Sequence, residues 1–283
     1  MKDLNIVPIK RLEESSSKGY IMDTSLVYNF SFQLLAKSFK SVFFILLIYS
    51  GVAYGFTQIV PLGSFISDLL IKPFVVAYIF LTLLGVAKPN LDINAIEWIT
   101  HKAPRILGLS LLYSGIILLV LSPSLVALWK EGVLDLLLGL RDLEPNAPTI
   151  ELAEQTSTVV LLNSILLVYL LLSFWWAPLL ILFSESSVLQ SLDYSRKLVQ
   201  KNFFKHLSLG SSLLFLFLAV LFVAGSSANQ GSILSTIIGI VADASFFFYF
   251  YIILFSSFYL SFFGSFVKGD SEEWDKRIEA LEE

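Results

Sequence analysis

The chain has 283 residues, of which 56% are hydrophobic and only 15% charged, and its formal net charge is −4. That much apolar side chain exceeds what a soluble domain of this size can hide, so a soluble globular fold is excluded and a bilayer is the expected solvent. The absence of cysteine excludes disulfides, thiolate metal sites and cysteine nucleophiles.

The chain opens with a polar segment, residues 1–25, that is too long for the n-region of a cleaved signal and lacks a small-residue cleavage site. Insertion then relies on the first span, Phe39–Val60. An apolar-faced stretch ending in Lys37 and Lys40 leads into it. Inside it, GVAYG places Gly51 and Gly55 four apart, a spacing that lets another helix approach closely; packing within the chain is favoured over dimerisation. The second span, Phe65–Ala87, contains Asp68 and Lys72 at i, i+4, positioned to pair on one helix face, followed by Pro73, a kink site.

The pattern then recurs. LDINAIEWITHKAPR ends in Lys102 and Arg105 and leads into a third span, Pro104–Trp129, whose LLYSG echoes the LLIYSG of the first span. An external loop, residues 130–157, follows, rich in Asp and Glu, as a cap over the bundle or a docking surface. In the fourth span, Thr158–Phe183, Pro178 is expected to bend the helix without stopping it. Ser186 and Ser187 then open an amphipathic helix over residues 186–205. Val188, Leu192, Val199 and Phe203, with Leu189 beside them, form its apolar side, and Gln190, Asp193, Lys197, Gln200 and Lys201 its polar side. That helix is expected in the membrane interface, with Arg196, Lys197, Lys201 and Lys205 near anionic headgroups; a docking helix for a soluble partner is the rival.

The last spans are His206–Ser227 and Ile237–Phe266, the latter containing Asp243, and the tail, residues 267–283, reads as a cytoplasmic helix. The expected fold is all-α: a polytopic membrane bundle of six transmembrane helices, residues 26–266, with three amphipathic interface helices. Six spans place both termini on one side. Of the 19 Lys and Arg, all but Lys72, Lys130 and Arg141 fall on that side, which the positive-inside rule makes cytoplasmic.

The stretch SVLQSLDYSRKLVQKNFFKHLSLGSSLL, after a span containing WWAPLLIL, resembles the YciC-like six-span bacterial membrane proteins. It is also similar to the membrane domain attached to some glycerophosphodiester phosphodiesterases. Leu192, Ser195, Leu198, Val199, Asn202 and Phe203 occupy the matching places. The resemblance covers about a third of the chain and implies a bacterial inner-membrane protein concerned with envelope or lipid homeostasis, with no catalytic residue carried over.

Chemistry is sparse. His101 and His206 each sit beside lysine at the start of a span, with no HExxH or GxSxG, and read as polar anchors at the interface. No catalytic residue, metal ligand set or cofactor is expected. Ionisable groups within spans are the sharper signal. If their helices meet, Asp68, Lys72 and Asp243 form an ionic cluster in the outer half of the membrane; otherwise the aspartates lie at headgroup level and Lys72 snorkels. The expected role is organisational: a non-enzymatic protein arranging membrane lipids, anionic ones at the cytoplasmic leaflet, or scaffolding an envelope complex, with homo-oligomers allowed and no nucleic acid. A transporter using the Asp/Lys cluster is the alternative, and an accessory domain for a lipid-head-group enzyme a remote one.

Overall fold

A computed structural model describes residues 7–20, 22–60, 63–89, 93–130, 154–228 and 233–263. All of the described elements are helical: α1 (Ile9–Lys18), α2 (Thr24–Ser38), α3 (Phe44–Ile59), α4 (Gly63–Ile66), α5 (Lys72–Ala87), α6 (Ala95–Lys130), α7 (Glu154–Ser173), α8 (Ala177–Phe183), α9 (Val188–Lys201), α10 (Phe203–Ala228) and α11 (Ile233–Phe258). Wider π turns lie at Phe39–Phe43, Ser67–Ile71 and Tyr259–Phe263. Six stretches are long and apolar enough to cross a membrane, among them Thr24–Ile59, Ser67–Ala87 and Thr236–Phe262. This is the all-α, multi-pass architecture expected from the sequence. Most of the external loop and the C-terminal tail fall outside the described residues.

Two compact units divide the chain, residues 1–110 with 173–283 and residues 111–172. In the larger, α11 is the central helix, packing against α2, α3, α5 and α10. Ile252, Ile253, Phe255 and Phe258 on it are fully buried. Aromatic rings meet it edge-on: Phe80 of α5 lies 5.8 Å from Tyr251, and Trp176 lies 5.8 Å from Phe258. Such geometry sets the positive rim of one ring against the negative face of another. In the smaller unit, the Asn163 side-chain amide of α7 donates to Ser124 Oγ of α6 at 2.9 Å.

The first interface segment and the first span form one helical run of 36 residues, Thr24–Ile59. Asp23 caps its start by accepting from the Ser25 and Leu26 N–H groups. The π turn at Phe39–Phe43 falls where the sequence places the junction between interface and span. The second unit of the pattern is likewise continuous in α6, whereas the third is broken at Asn202, between α9 and α10. The repeated grammar therefore yields two through-running helices and one broken pair.

Pro178 does more than bend its helix. The chain leaves α7 at Ser173, makes a turn over Phe174–Trp176 and restarts at Ala177, with Pro178 in the first turn of α8. A proline has no N–H to close the helical ladder and favours a helix's first turn. The interruption is stable because Ser195 of α9 reaches into it, accepting the Trp176 N–H at 3.1 Å and donating to the Ser173 carbonyl at 2.9 Å. Pro73 behaves similarly: it lies in the first turn of α5, directly after the π turn at Ser67–Ile71.

Candidate functional site

Residues 7–20 form a strap. The Val7 N–H donates to the Phe183 carbonyl at 3.0 Å, and Leu12 of α1 is fully buried in the packing of α1 on α9. Downstream, Lys201 Nζ donates to the Ser17 carbonyl (2.7 Å), the Asn202 side chain to the Tyr20 carbonyl (2.8 Å) and Lys205 Nζ to the Met22 carbonyl (2.6 Å). The Tyr194 hydroxyl donates to Glu13 (3.2 Å). Burial raises the Tyr194 phenol's pKa and the negative charge of Glu13 adds to that. The buried side of α9 thus packs against protein, α1 included.

The buried stripe of α9 is also rotated from the expected one. Ser191, Leu192, Tyr194, Ser195, Leu198 and Val199 are buried, while Leu189 is 70% exposed. Periodicity of apolar residues missed this because two of the inward positions are serines. Their hydroxyls are satisfied inside, Ser191 by Ser186 at 2.6 Å and Ser195 at the helix break. The expected N-cap is present: Ser187 and Gln190 bond each other's backbone N–H in a capping box.

Not all the interface cations face outward. Lys102 is 2% exposed and donates to the Ser184 carbonyl (2.8 Å) and to Glu185 (3.2 Å), which Arg105 also contacts at 3.2 Å. Burial pushes the Glu185 carboxyl up, but the hydrogen bonds and charges of Lys102 and Arg105 outweigh it, leaving its pKa below the ordinary range. Lys197 and Arg196 both hold Asp193, at 2.6 and 2.8 Å, and lower its pKa in that order of strength. Lys37 and Lys40 are exposed.

His206 is a correction. Instead of anchoring at the interface, it is fully buried, sharing a hydrogen bond of 2.8 Å with the Tyr20 hydroxyl and lying edge-on to Trp176 at 4.7 Å. Burial pushes the Tyr20 phenol up, with an Asn202 side-chain hydrogen bond offsetting part of it, so Tyr20 stays protonated. His101 is exposed. Gly51 and Gly55 also differ from expectation: among the described residues no atom of another segment lies within 4 Å of where a Cβ would stand on either, so neither brings a second described helix close.

The ionisable residues of these apolar helices do converge. Asp68 and Lys72 pair at 3.3 Å. Tyr49 of α3 donates its hydroxyl to Asp68 at 2.9 Å, and its neighbour Ser50 donates to Asp243 of α11 at 2.7 Å. Lys72 Nζ sits 4.1 Å above the Phe247 ring, one turn along from Asp243. Two adjacent hydroxyls on α3 thus connect carboxylates from two other helices. Sequence reasoning found the charged members and missed Tyr49 and Ser50, although the YS of LLIYSG was in view as a repeat. Among the described residues, no group of three or more His, Cys, Asp or Glu gathers to hold a metal ion.

No protein-family model, curated protein or solved structure matches this chain.

Proposed function

We propose that this multi-pass protein is a non-enzymatic organiser of a bacterial inner membrane, of the YciC-like kind, with both termini cytoplasmic. Its basic end arranges anionic lipid in the inner leaflet and offers a fixed surface to envelope partners. One observation carries this reading. The helical run Thr24–Ile59 has 36 residues, about 54 Å of rise, against roughly 30 Å of hydrocarbon. Around the junction between its excess length and the span, exposed Lys37 and Lys40 stand among exposed Phe32, Phe39 and Phe44. Aromatic rings at headgroup level with ammonium groups beside them suit an anionic leaflet, each lysine contributing about 1 kcal/mol near such a surface.

The strap on α9 supports the same reading, because it fixes the shape of the basic end. The test is mass spectrometry of lipids and proteins that co-purify with the full chain in mild detergent. Enrichment of anionic phospholipid that falls in the Lys37→Ala/Lys40→Ala variant is the expected result. An unselective lipid complement, unchanged in the variant, would reject the proposal.

A further inference from the structure

Tyr20 and His206 stand 186 residues apart in the chain and share one hydrogen bond of 2.8 Å. Tyr20 ends the strap and His206 lies in the first turn of α10, and both are buried, so an imidazole is sealed beneath a phenol. The Trp176 ring meets both, 5.2 Å from Tyr20 and 4.7 Å from His206, and Phe262 closes on Tyr20 at 5.6 Å. The remaining ties come from the same junction of α9 and α10: Lys201, Asn202 and Lys205 donate to the carbonyls of Ser17, Tyr20 and Met22. Strap closure thus sets the Tyr20 ring over His206 Nε2.

The closed arrangement has a place for the neutral ring alone. A neutral imidazole carries one N–H and one bare nitrogen, and the Tyr20 hydroxyl matches either of them at Nε2. The imidazolium carries two N–H groups and a charge. Nδ1 has no hydrogen-bond partner, and His206 no ion pair, among the described residues. The groups packed around it offer no compensation for that charge. From the strap comes the Tyr20 hydroxyl, and from the turn before α8 the rings of Trp175 and Trp176, with Phe258 and Phe262 behind them. From its own junction come two cations, Lys201 and Lys205. The strap's Glu13 is held by Tyr194, and Asp23 caps α2.

We propose that the Tyr20–His206 contact is a pH-sensitive latch: the strap closes over the neutral imidazole, and uptake of one proton by His206 releases it. Release bares the ring and withdraws the carbonyls from Lys201 and Lys205, so acid opens the strap and frees two ammonium groups together. Clear of the strap, the imidazole takes its proton at the ordinary value, about 6.5. Closure is therefore at full strength above that pH and weakens below it, the opening equilibrium rising by up to about 10-fold per unit. The latch goes beyond the organising role and stands without it.

The test exploits the lack of cysteine in the chain. Ser15 of the strap is fully buried, whereas Ser17, two residues on, is exposed. Ser15→Cys and Ser17→Cys, made singly in the full chain in detergent, report opening as the ratio of their rates with a water-soluble thiol reagent. The ratio cancels the thiol's own pH dependence. It should rise about 10-fold in favour of position 15 between about pH 7.5 and about pH 5.5, a window above the ordinary carboxylate range. His206→Gln, which keeps a hydrogen-bonding group there and cannot take the charge, should flatten the ratio. The other histidine of the chain is exposed His101. His101→Gln should keep the full rise, and it carries the test if His206→Gln does not fold. A ratio constant across the window in the otherwise unaltered chain, a rise that survives in His206→Gln, or one lost in His101→Gln would overturn the proposal.

Discussion

Ser195 and Trp176 are joined by a hydrogen bond of 3.1 Å in which the serine hydroxyl accepts the tryptophan N–H, and the same hydroxyl donates to the Ser173 carbonyl. One side chain of a surface helix therefore completes the backbone bonding of a broken span. Ser195→Ala would orphan a buried donor and a buried acceptor together, at about 1–3 kcal/mol for each such group. Chemical or thermal unfolding in detergent should show the variant destabilised by at least about 1 kcal/mol. Ser208→Ala, a change on exposed helix surface, should lie within about 0.5 kcal/mol of wild type.

The strap is held at its inner end by Tyr20 and His206. Tyr20→Phe removes the partner of His206 Nε2 in a site whose Nδ1 already has no hydrogen bond among the described residues. The phenylalanine still fills the space against Trp176 and Phe262, so the spans should persist while the strap loosens. Limited proteolysis reads this directly: cleavage between Arg11 and Lys18 should accelerate several-fold in Tyr20→Phe, with the transmembrane fragment intact. An unchanged cleavage rate would mean that the Lys201, Asn202 and Lys205 contacts hold the strap without Tyr20.

Glu185 sets a pH dependence whose sign follows from its depressed pKa. A carboxylate with a lower pKa folded than unfolded adds stability that is full above the unfolded value, about 4.3 for Glu, and is lost as the pH falls through the folded value. The stability difference between wild type and Glu185→Gln should therefore be constant from about pH 7 to pH 5 and shrink below about pH 4. Glu185 is well exposed, so water screening keeps the effect under about 1 kcal/mol. A difference that grew on acidification would contradict the arrangement of Lys102 and Arg105 around it.

Gly63 lies against the chain it has just left. A Cβ there would stand 2.3 Å from the Phe56 carbonyl oxygen, while its N–H donates to the Val60 carbonyl at 2.8 Å. Gly63→Ala should force the α3–α4 turn apart and lower yield and melting temperature, whereas Gly51→Ala, with open space around it, should be tolerated. Equal behaviour of the two variants would reject the turn geometry.

Orientation is directly measurable because the chain contains no cysteine. With both termini cytoplasmic, a single cysteine replacing Lys197 should react with an impermeant thiol reagent only after the cells are opened. A cysteine at Gln58, near the far end of α3, should react in intact cells. The reverse pattern would invert the proposed topology.

Bulk apolarity, span number and the placement of charge were legible in the residues themselves, because the bilayer imposes a length and a polarity on any helix that crosses it, whatever its neighbours. Asp68 and Lys72 could be paired in advance since they share one helix face. The join from Asp68 through Tyr49 and Ser50 to Asp243 could not, since it depends on how three helices turn toward one another. Apolar periodicity likewise set the buried stripe of α9 off by a rotation, and the lysine beside His206 placed that residue at the surface, because Ser195, Lys102 and His206 are polar residues buried only where distant segments satisfy them. Tertiary structure decided those positions: hydrogen bonding to a partner far along the chain offsets the cost of burying a polar group, and that partner has no fixed spacing in sequence.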